Sequence, residues 1–362
     1  MKNDKMQLDA PTEIRKGETI EKEALARYLS KNFELKNEKL DVLQFPSGYS
    51  NLTYLIKFNG EEYVLRRPPF GAKVKSGHDM SREFKILSLL QNNFSKAPKP
   101  ILFCDDEKII GSSFYIMERI NGIILRGGMS KNELPKPPKI KDIVYDFVST
   151  MTDLHSIDCN KPEFSNFGKP KGYVKRQVEG WAYRYEKSKT DNFDGIEKTM
   201  KWLCNNYPTK HETSLIHNDY KYDNLVLSAD DNLKIKAVLD WEMATLGDPL
   251  MDLGTSLGYW IHQTDPDFIK SIQLNLTTAK GNPKRGELAE LYGQISKRDL
   301  SNIVFYFIFG LFKIAVIVQQ IYFRYKKGFT KDIRFKELNK IVELYGIMSK
   351  QAIDKKKIDD LF

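Results

Sequence analysis

The sequence predicts an α+β chain of two lobes: a small N-terminal lobe rich in β-strand over residues 1–120, and a larger, mainly helical lobe over residues 121–362. Three observations carry this. Residues 41–69 read as short apolar-alternating runs cut by "PSGYSN" and "NGEE", which is the period of strands. Residues 125–139 hold the breakers "RGG" and "LPKPP", a loop signature. Beyond them apolar residues recur at helical spacing.

The elements follow in order. "GETIEKEALARYLSKNF" predicts a helix capped by Thr19, with Glu21 and Glu23 in its first turn and Leu25, Leu29 and Phe33 on one face. "DVLQFPSGYSNLTYLIKFNGEEYVLRRPP" predicts three strands, the last two joined through Asn59-Gly60, a pair suited to a tight hairpin. "SREFKILSLLQNN" returns to helical spacing, and "APKPILFCDDEKIIGSSFYIMERING" supplies two more strands and a turn at Asn121-Gly122. In the second lobe only "LVLS" and "IKAVLD", flanking a polar turn at "ADDN", interrupt the helical period.

Composition narrows the classes. With 362 residues and 41% hydrophobic content the chain can bury one large or two modest cores. Cys104, Cys159 and Cys204 are odd in number and far apart, so neither a disulfide framework nor a thiolate zinc site is expected. The first twenty residues lack an apolar run, so the expectation is no signal peptide and a cytoplasmic chain. "NIVFYFIFGLFKIAVIV" has the length of a short membrane span, but Gly310 and Lys313 near its middle favour a core helix. The net charge of +9 comes from scattered Lys, without a nucleic-acid reading motif; neither nucleic acid nor membrane is expected as a partner.

Chemistry concentrates in "LIHNDYKYDN", residues 215–224, and in Asp240 of "AVLDWE". Asp219 and Asn224 lie five apart in an irregular turn, and Asp240 ends the apolar strand "IKAVLD", its carboxylate at the strand mouth. One carboxylate to orient a hydroxyl, with an amide and a second carboxylate to hold Mg²⁺, is what phosphoryl transfer requires. Either Asp alone fits an Asx-rich turn; the joint spacing carries the functional reading.

"HNDYKYDN" with "VLDWE" resembles the H-x-D-x-x-x-x-N and metal-binding Asp motifs of the aminoglycoside phosphotransferase and choline-kinase-like family, relatives of protein kinases. "FPSGYSNLTYLI", "YVLRRPP", "SREFKIL", "FYIMERINGIIL", "QVEGWAYRYEKSKT" and "LDWEMATLGDPLMDLG" extend the resemblance over most of the chain, toward the subgroup associated with acyl-CoA dehydrogenases. The resemblance implies a two-lobed protein-kinase-like fold and transfer of the γ-phosphoryl of ATP, with GTP an open alternative, to an acceptor hydroxyl. It implies Asp219 as base or hydroxyl-orienting group, Lys221 at the γ-phosphate, and Asn224 and Asp240 as Mg²⁺ ligands, with His217 bracing the loop. The family usually has Gly at Asn218; Asn is the substitute that best tolerates positive φ. Asp248 and Asp252 read as structural braces.

On the nucleotide side, Gly48, Ser50 and Asn51 lie in the small-residue turn expected to approach phosphates. Gly48 precedes Arg66 by 18 residues. Arg66 stands where protein kinases carry a strand Lys, with Glu83 as its helix partner, and an Arg fork can clamp phosphates with its own geometry. Arg67 is expected on the opposite sheet face. The carbonyl of Glu118 and the N–H of Ile120 are the expected adenine contacts.

For the acceptor, residues 171–189 and 321–340 are both predominantly basic, a sign that favours an anionic small molecule over a polycation. The subgroup points to a hydroxyacyl-CoA and a functional link to an acyl-CoA dehydrogenase. Choline, sugar or aminoglycoside-type acceptors, and a catalytically silent nucleotide-binding module, stay open. Tyr173, Trp181, Tyr183 and Tyr185 read as core, with the lining of an acyl or adenine groove as the alternative.

Overall fold

The computed structural model describes residues 8–34, 39–46, 51–70, 79–129, 133–272 and 274–362. They fall into two compact units. One comprises the described residues up to Ile124 together with Leu225–Met243; the other comprises Leu125–Asn224 and Ala244–Phe362.

In the first unit, α1 (Lys22–Asn32) and α2 (Met80–Leu90) flank a five-stranded antiparallel sheet. Its strands are β1 (Leu40–Gln44), β2 (Leu52–Phe58), β3 (Glu61–Arg67), β4 (Pro100–Cys104) and β5 (Phe114–Glu118), in spatial order β1-β2-β3-β5-β4. Strand alternation sorts the faces. Tyr54, Ile56, Phe58, Leu65, Phe114 and Ile116 join Leu25 and Leu29 of α1 in one core. The other face receives α2, whose Phe84 ring packs against Phe103 and Tyr115. Asn59 and Gly60 both take positive φ, 52° and 76°, in the two-residue turn that registers Phe58 opposite Glu61; this pair of conformations matches the twist of a tight hairpin.

The first helix starts later than its sequence signal. Its N-cap is Glu21, without a side-chain cap, rather than Thr19. The Glu18 carbonyl accepts the Tyr54 hydroxyl at 2.6 Å and Ile20 is buried in the sheet core. Tertiary contacts therefore hold the chain extended past Thr19, outweighing a cap preference of about 1 kcal/mol.

The hairpin Leu225–Leu227/Ile235–Val238 also belongs to this unit. It is tied by reciprocal backbone bonds between Ile123 and Leu227 and by an apolar cluster of Ile124, Val226 and Ala237.

The second unit is built from α3 (Pro137–His155), α4 (Tyr173–Ser188), α5 (Asp194–Asn206), α6 (Pro249–Tyr259), α7 (Asp267–Lys270), α8 (Arg285–Ser296), α9 (Ile303–Lys326) and α10 (Leu338–Lys355). The apolar run read from sequence is α9. It is apolar enough to span a membrane by composition, and 78% of that window is buried within the protein. Gly254 of α6 and Gly310 of α9 meet backbone to backbone: a Cβ on Gly310 would lie 2.0 Å from the Gly254 carbonyl oxygen. No other residue permits that approach without moving a helix. Of the four aromatics assigned to core, Tyr173, Trp181 and Tyr185 are buried, but Tyr183 is 64% exposed. One face of an amphipathic α4 must meet solvent, and the Lys187 ammonium lies over the Tyr183 ring there.

Candidate active site

In the helical unit, the short strand Ser214–Ile216 pairs with Thr245–Gly247 and delivers the chain into His217. The backbone N–H groups of His217 and Asn218 donate to the two oxygens of Asp252, each at 2.7 Å. His155 Nε2 adds a contact to the same carboxylate at 3.2 Å. Burial pushes the Asp252 carboxyl up, but the His155 contact and the His217 N–H reverse this and hold it below the usual carboxylate range. Asn218 adopts φ 68°, as its side chain allows. The Asp219 N–H then donates to His217 Nδ1 at 3.2 Å. Asp248 caps α6 through the Leu250 N–H and accepts the Tyr306 hydroxyl at 2.6 Å. Both acids are held inside hydrogen-bond frames, as braces are.

The structure brings Asp219, Lys221 and Asn224 together. Lys221 Nζ donates to Asp219 Oδ2 at 2.7 Å, and Asn224 Nδ2 donates to the same oxygen at 3.1 Å and to the Asp219 carbonyl at 2.8 Å. Asp219 Oδ1 accepts the Tyr259 hydroxyl at 3.0 Å. Burial works against the Lys221 charge, yet adjacent Asp219 wins and raises its pKa. Asp223, largely buried beside this group, is pushed up to about 6 by desolvation, against the pull of Lys221 and Arg126. Below the loop, Tyr222 packs on Phe147 and Trp260 and donates to Asn282 Oδ1 at 2.7 Å, which anchors the turn between Lys221 and Asn224.

In the sheet unit, Arg66, Glu83 and Asp240 meet. Arg66 Nη1 bonds Glu83 Oε1, Nη2 bonds Asp240 Oδ1 at 2.8 Å, and Glu242 lies 3.6 Å from Nη2. Asn51 Nδ2 donates to Glu242 Oε2 at 2.6 Å. The Arg66 and Glu83 side chains are only 8% and 1% exposed, so this is a buried pair and not a surface one. Burial would lower the Arg66 pKa, but Glu83, Tyr115, Asp240 and Glu242 together raise it. Burial pushes the Glu83 carboxyl up, with Arg66 opposing. Arg67 takes the other face: it donates to the Ile110 carbonyl at 2.7 Å and stacks over Phe70. Asp240 follows strand Ile235–Val238 with φ 69°.

The remaining nucleotide-side residues are not gathered with these. Glu118 Oε1 accepts the Lys99 N–H and the Glu118 N–H donates to the Lys99 carbonyl. Ile120 packs against the Ile124 cluster. Gly48 and Ser50 lie outside the described residues.

Each unit offers an oxygen donor of the kind Mg²⁺ takes: the Asn224 amide in the helical unit and the Asp240 carboxylate in the sheet-bearing unit. Asn224 spends its amide hydrogens on Asp219, and its amide oxygen is the atom of this side chain with a metal ligand's chemistry. The Asp240 carboxylate is 32% exposed, and among the described residues it shares Arg66 with Glu83 and Glu242. Hard oxygens in few number, with the remaining positions left to water and phosphate, are the Mg²⁺ pattern.

Three groups carry no motif signal in the sequence. Tyr259 sits in an apolar helix end, Glu242 in a short 3₁₀ turn, and Lys313 is marked only as a lone charge in an apolar run.

A strand Arg paired with a helix Glu on a small antiparallel sheet, and a helical unit presenting an H-x-D-x-x-x-x-N loop, define a kinase-like protein. The chain belongs to the phosphotransferase enzyme family, whose model matches residues 41–289. It is 31% identical over 335 residues to acyl-CoA dehydrogenase family member 10 of Mus musculus, covering 91% of this chain and 31% of that protein. It is 33% identical over 299 residues to acyl-CoA dehydrogenase family member 11 of Homo sapiens, covering 80% of this chain and 37% of that one. The chain thus spans about a third of the length of these relatives. Among solved structures, a Ralstonia eutropha protein assigned as an aminoglycoside phosphotransferase matches with TM-score 0.73 and 29% identity, covering 92% of this chain and 99% of that one. Choline kinase from Cryptosporidium parvum matches with TM-score 0.65 over 94% of this chain and 98% of that one, at 14% identity, a likeness of fold.

Proposed function

We propose that this chain transfers the γ-phosphoryl group of ATP to the hydroxyl of an anionic small molecule of the hydroxyacyl-CoA type. The carrying observation is the Asp219 carboxylate. Its Oδ2 is fixed by Lys221 and Asn224, and its Oδ1 accepts, among the described residues, the Tyr259 hydroxyl. A carboxylate held on one oxygen and lightly engaged on the other can accept a hydrogen bond from an acceptor hydroxyl and take its proton as the phosphoryl group transfers. Lys221 steadies that carboxylate and offers its charge to the transferring phosphoryl group. Asn224 and Asp240 are the metal ligands. Mg²⁺ held there would supply positive charge against the developing phosphate charge. Arg66, positioned by Glu83, clamps phosphate, with Gly48, Ser50 and Asn51 as the phosphate-facing turn. Adenine binds along the backbone at Glu118 and Ile120.

Support for an anionic acceptor comes from segment 321–340. Lys326, Arg334 and Lys340 are committed to Asp191, Asp332 and Glu337. Arg324, Lys327, Lys331 and Lys336 are exposed and set the sign of that surface. The dehydrogenase link rests on the relatives' names.

Mg·ATP turnover measured against hydroxyacyl-CoAs, aminoglycosides, choline and sugars tests the reading. The expected outcome is acceptor-dependent turnover with a hydroxyacyl-CoA, reduced roughly 10²–10⁴-fold in Asp219→Ala. Turnover with choline or an aminoglycoside alone would replace the acceptor class. Inactivity with every acceptor would reduce the chain to a nucleotide-binding module.

A further inference from the structure

Lys313 stands near the middle of the most apolar helix and is 1% exposed. Burying an ammonium costs several kcal/mol unless it is paired, yet no carboxylate lies within ion-pair distance of it among the described residues. Its Nζ instead donates to the backbone carbonyl of Asn218 at 2.5 Å, with Asn218 Oδ1 and Thr255 Oγ1 farther off at 3.4 and 3.5 Å. The Trp181 ring of α4 lies 5.9 Å away. Arg184 of α4, Asp252 of α6, and Asp219 and Lys221 of the loop are the charged groups that act on it.

The Asn218 carbonyl belongs to the peptide that ends in the Asp219 N–H. Lys313 holds the oxygen end of that peptide, and His217 Nδ1 holds the N–H end. Asp252 holds the two preceding N–H groups. A carboxylate from α6 and an ammonium from α9 thus grip three consecutive peptides from below. The backbone contact of Gly254 with Gly310 brings the two helices close enough for both side chains to reach the loop. Asp219 follows directly, and a carboxylate that must meet a hydroxyl in one orientation depends on the peptide plane that carries it.

We propose that Lys313 is a positioning residue: its buried ammonium fixes the Asn218–Asp219 peptide and so aims the Asp219 carboxylate. This rests on Asp219 being the reacting carboxylate. A side chain retained only for packing would be replaced by Met without kinetic consequence, because Met has similar length and removes the buried charge.

The test uses the full chain with Lys313→Met, Lys313→Gln and Asp219→Ala beside wild type. It reads kcat and KM for Mg·ATP with a working acceptor, and amide hydrogen exchange at residues 217–219. The expected result for Lys313→Met is a kcat lower by roughly tenfold or more, a KM for ATP within about twofold, and exchange at the Asp219 amide faster by about tenfold. Lys313→Gln, which keeps an N–H donor without the charge, should fall between. Wild-type kcat and wild-type exchange in Lys313→Met would overturn the proposal, as would failure of both variants to fold, which would make Lys313 purely structural. If wild type turns over no acceptor while Lys313→Met still loosens the Asp219 amide, the functional reading fails and the grip on the peptide stands.

Discussion

Arg66 and Lys313 are two cations buried to nearly the same degree in different units, and they are charged for opposite reasons. Arg66 is ringed by Glu83, Asp240 and Glu242, and its pKa is raised. Lys313 has carbonyl and hydroxyl dipoles as partners, and burial lowers its pKa to about 8. The first cation is neutralised by carboxylates, two of which, Glu83 and Asp240, are themselves proposed for phosphate and metal work. The second spends its charge on the main chain. Stability and positioning are therefore coupled at Arg66 and in opposition at Lys313.

The largest effect that separates them is thermodynamic. Arg66→Met should destabilise by about 3–5 kcal/mol, because Glu83 is left buried without its partner. Lys313→Met should be neutral or stabilising in the same urea titration. Equal losses in both would break the comparison.

Next comes pH. The Lys313 pKa is about 8 folded against an ordinary 10.5, so between those values the unfolded chain binds a proton that the folded chain does not. Stability must rise with pH across that window, by at most about 3 kcal/mol for a shift of this size, and be flat below pH 8. The wild-type minus Lys313→Met difference curve isolates this contribution; a difference that falls with rising pH would contradict the assignment.

The smallest effect is at Tyr259. Its hydroxyl touches Asp219 Oδ1, and Tyr259→Phe removes one hydrogen bond worth about 1 kcal/mol. A kcat change of several-fold with unaltered thermal stability is expected. A loss as large as that of Asp219→Ala would move Tyr259 from an accessory to an essential role.

The strands β1, β2, β3, β4 and β5 were legible because their alternation and their turn residues are local signals, and α9 because its apolar run is unmistakable. The Asp219–Asn224 spacing was legible because a loop of eight residues keeps its partners close in sequence. Thr19 misled because the Tyr54 bond that holds Glu18 extended comes from 36 residues away. Tyr183 misled because composition does not tell which side of α4 meets solvent. Tyr259, Glu242 and the grip of Lys313 are long-range: each joins residues brought together only by the packing of helices or by the return of a hairpin, and no spacing encodes that.

The return of Leu225–Met243 to the sheet-bearing unit has a consequence for synthesis. A chain emerging from the ribosome can form the antiparallel sheet once residue 118 has appeared, but Ile123 still lacks its partner Leu227, and Ile124 lacks Val226 and Ala237. N-terminal units generally fold first during translation. Here the first unit stays unfinished, with an apolar patch and an open backbone edge, for more than a hundred further codons. Truncation after residue 124 should therefore yield a fragment prone to aggregate, and one that retains Arg66 and Glu83 while lacking Asp240.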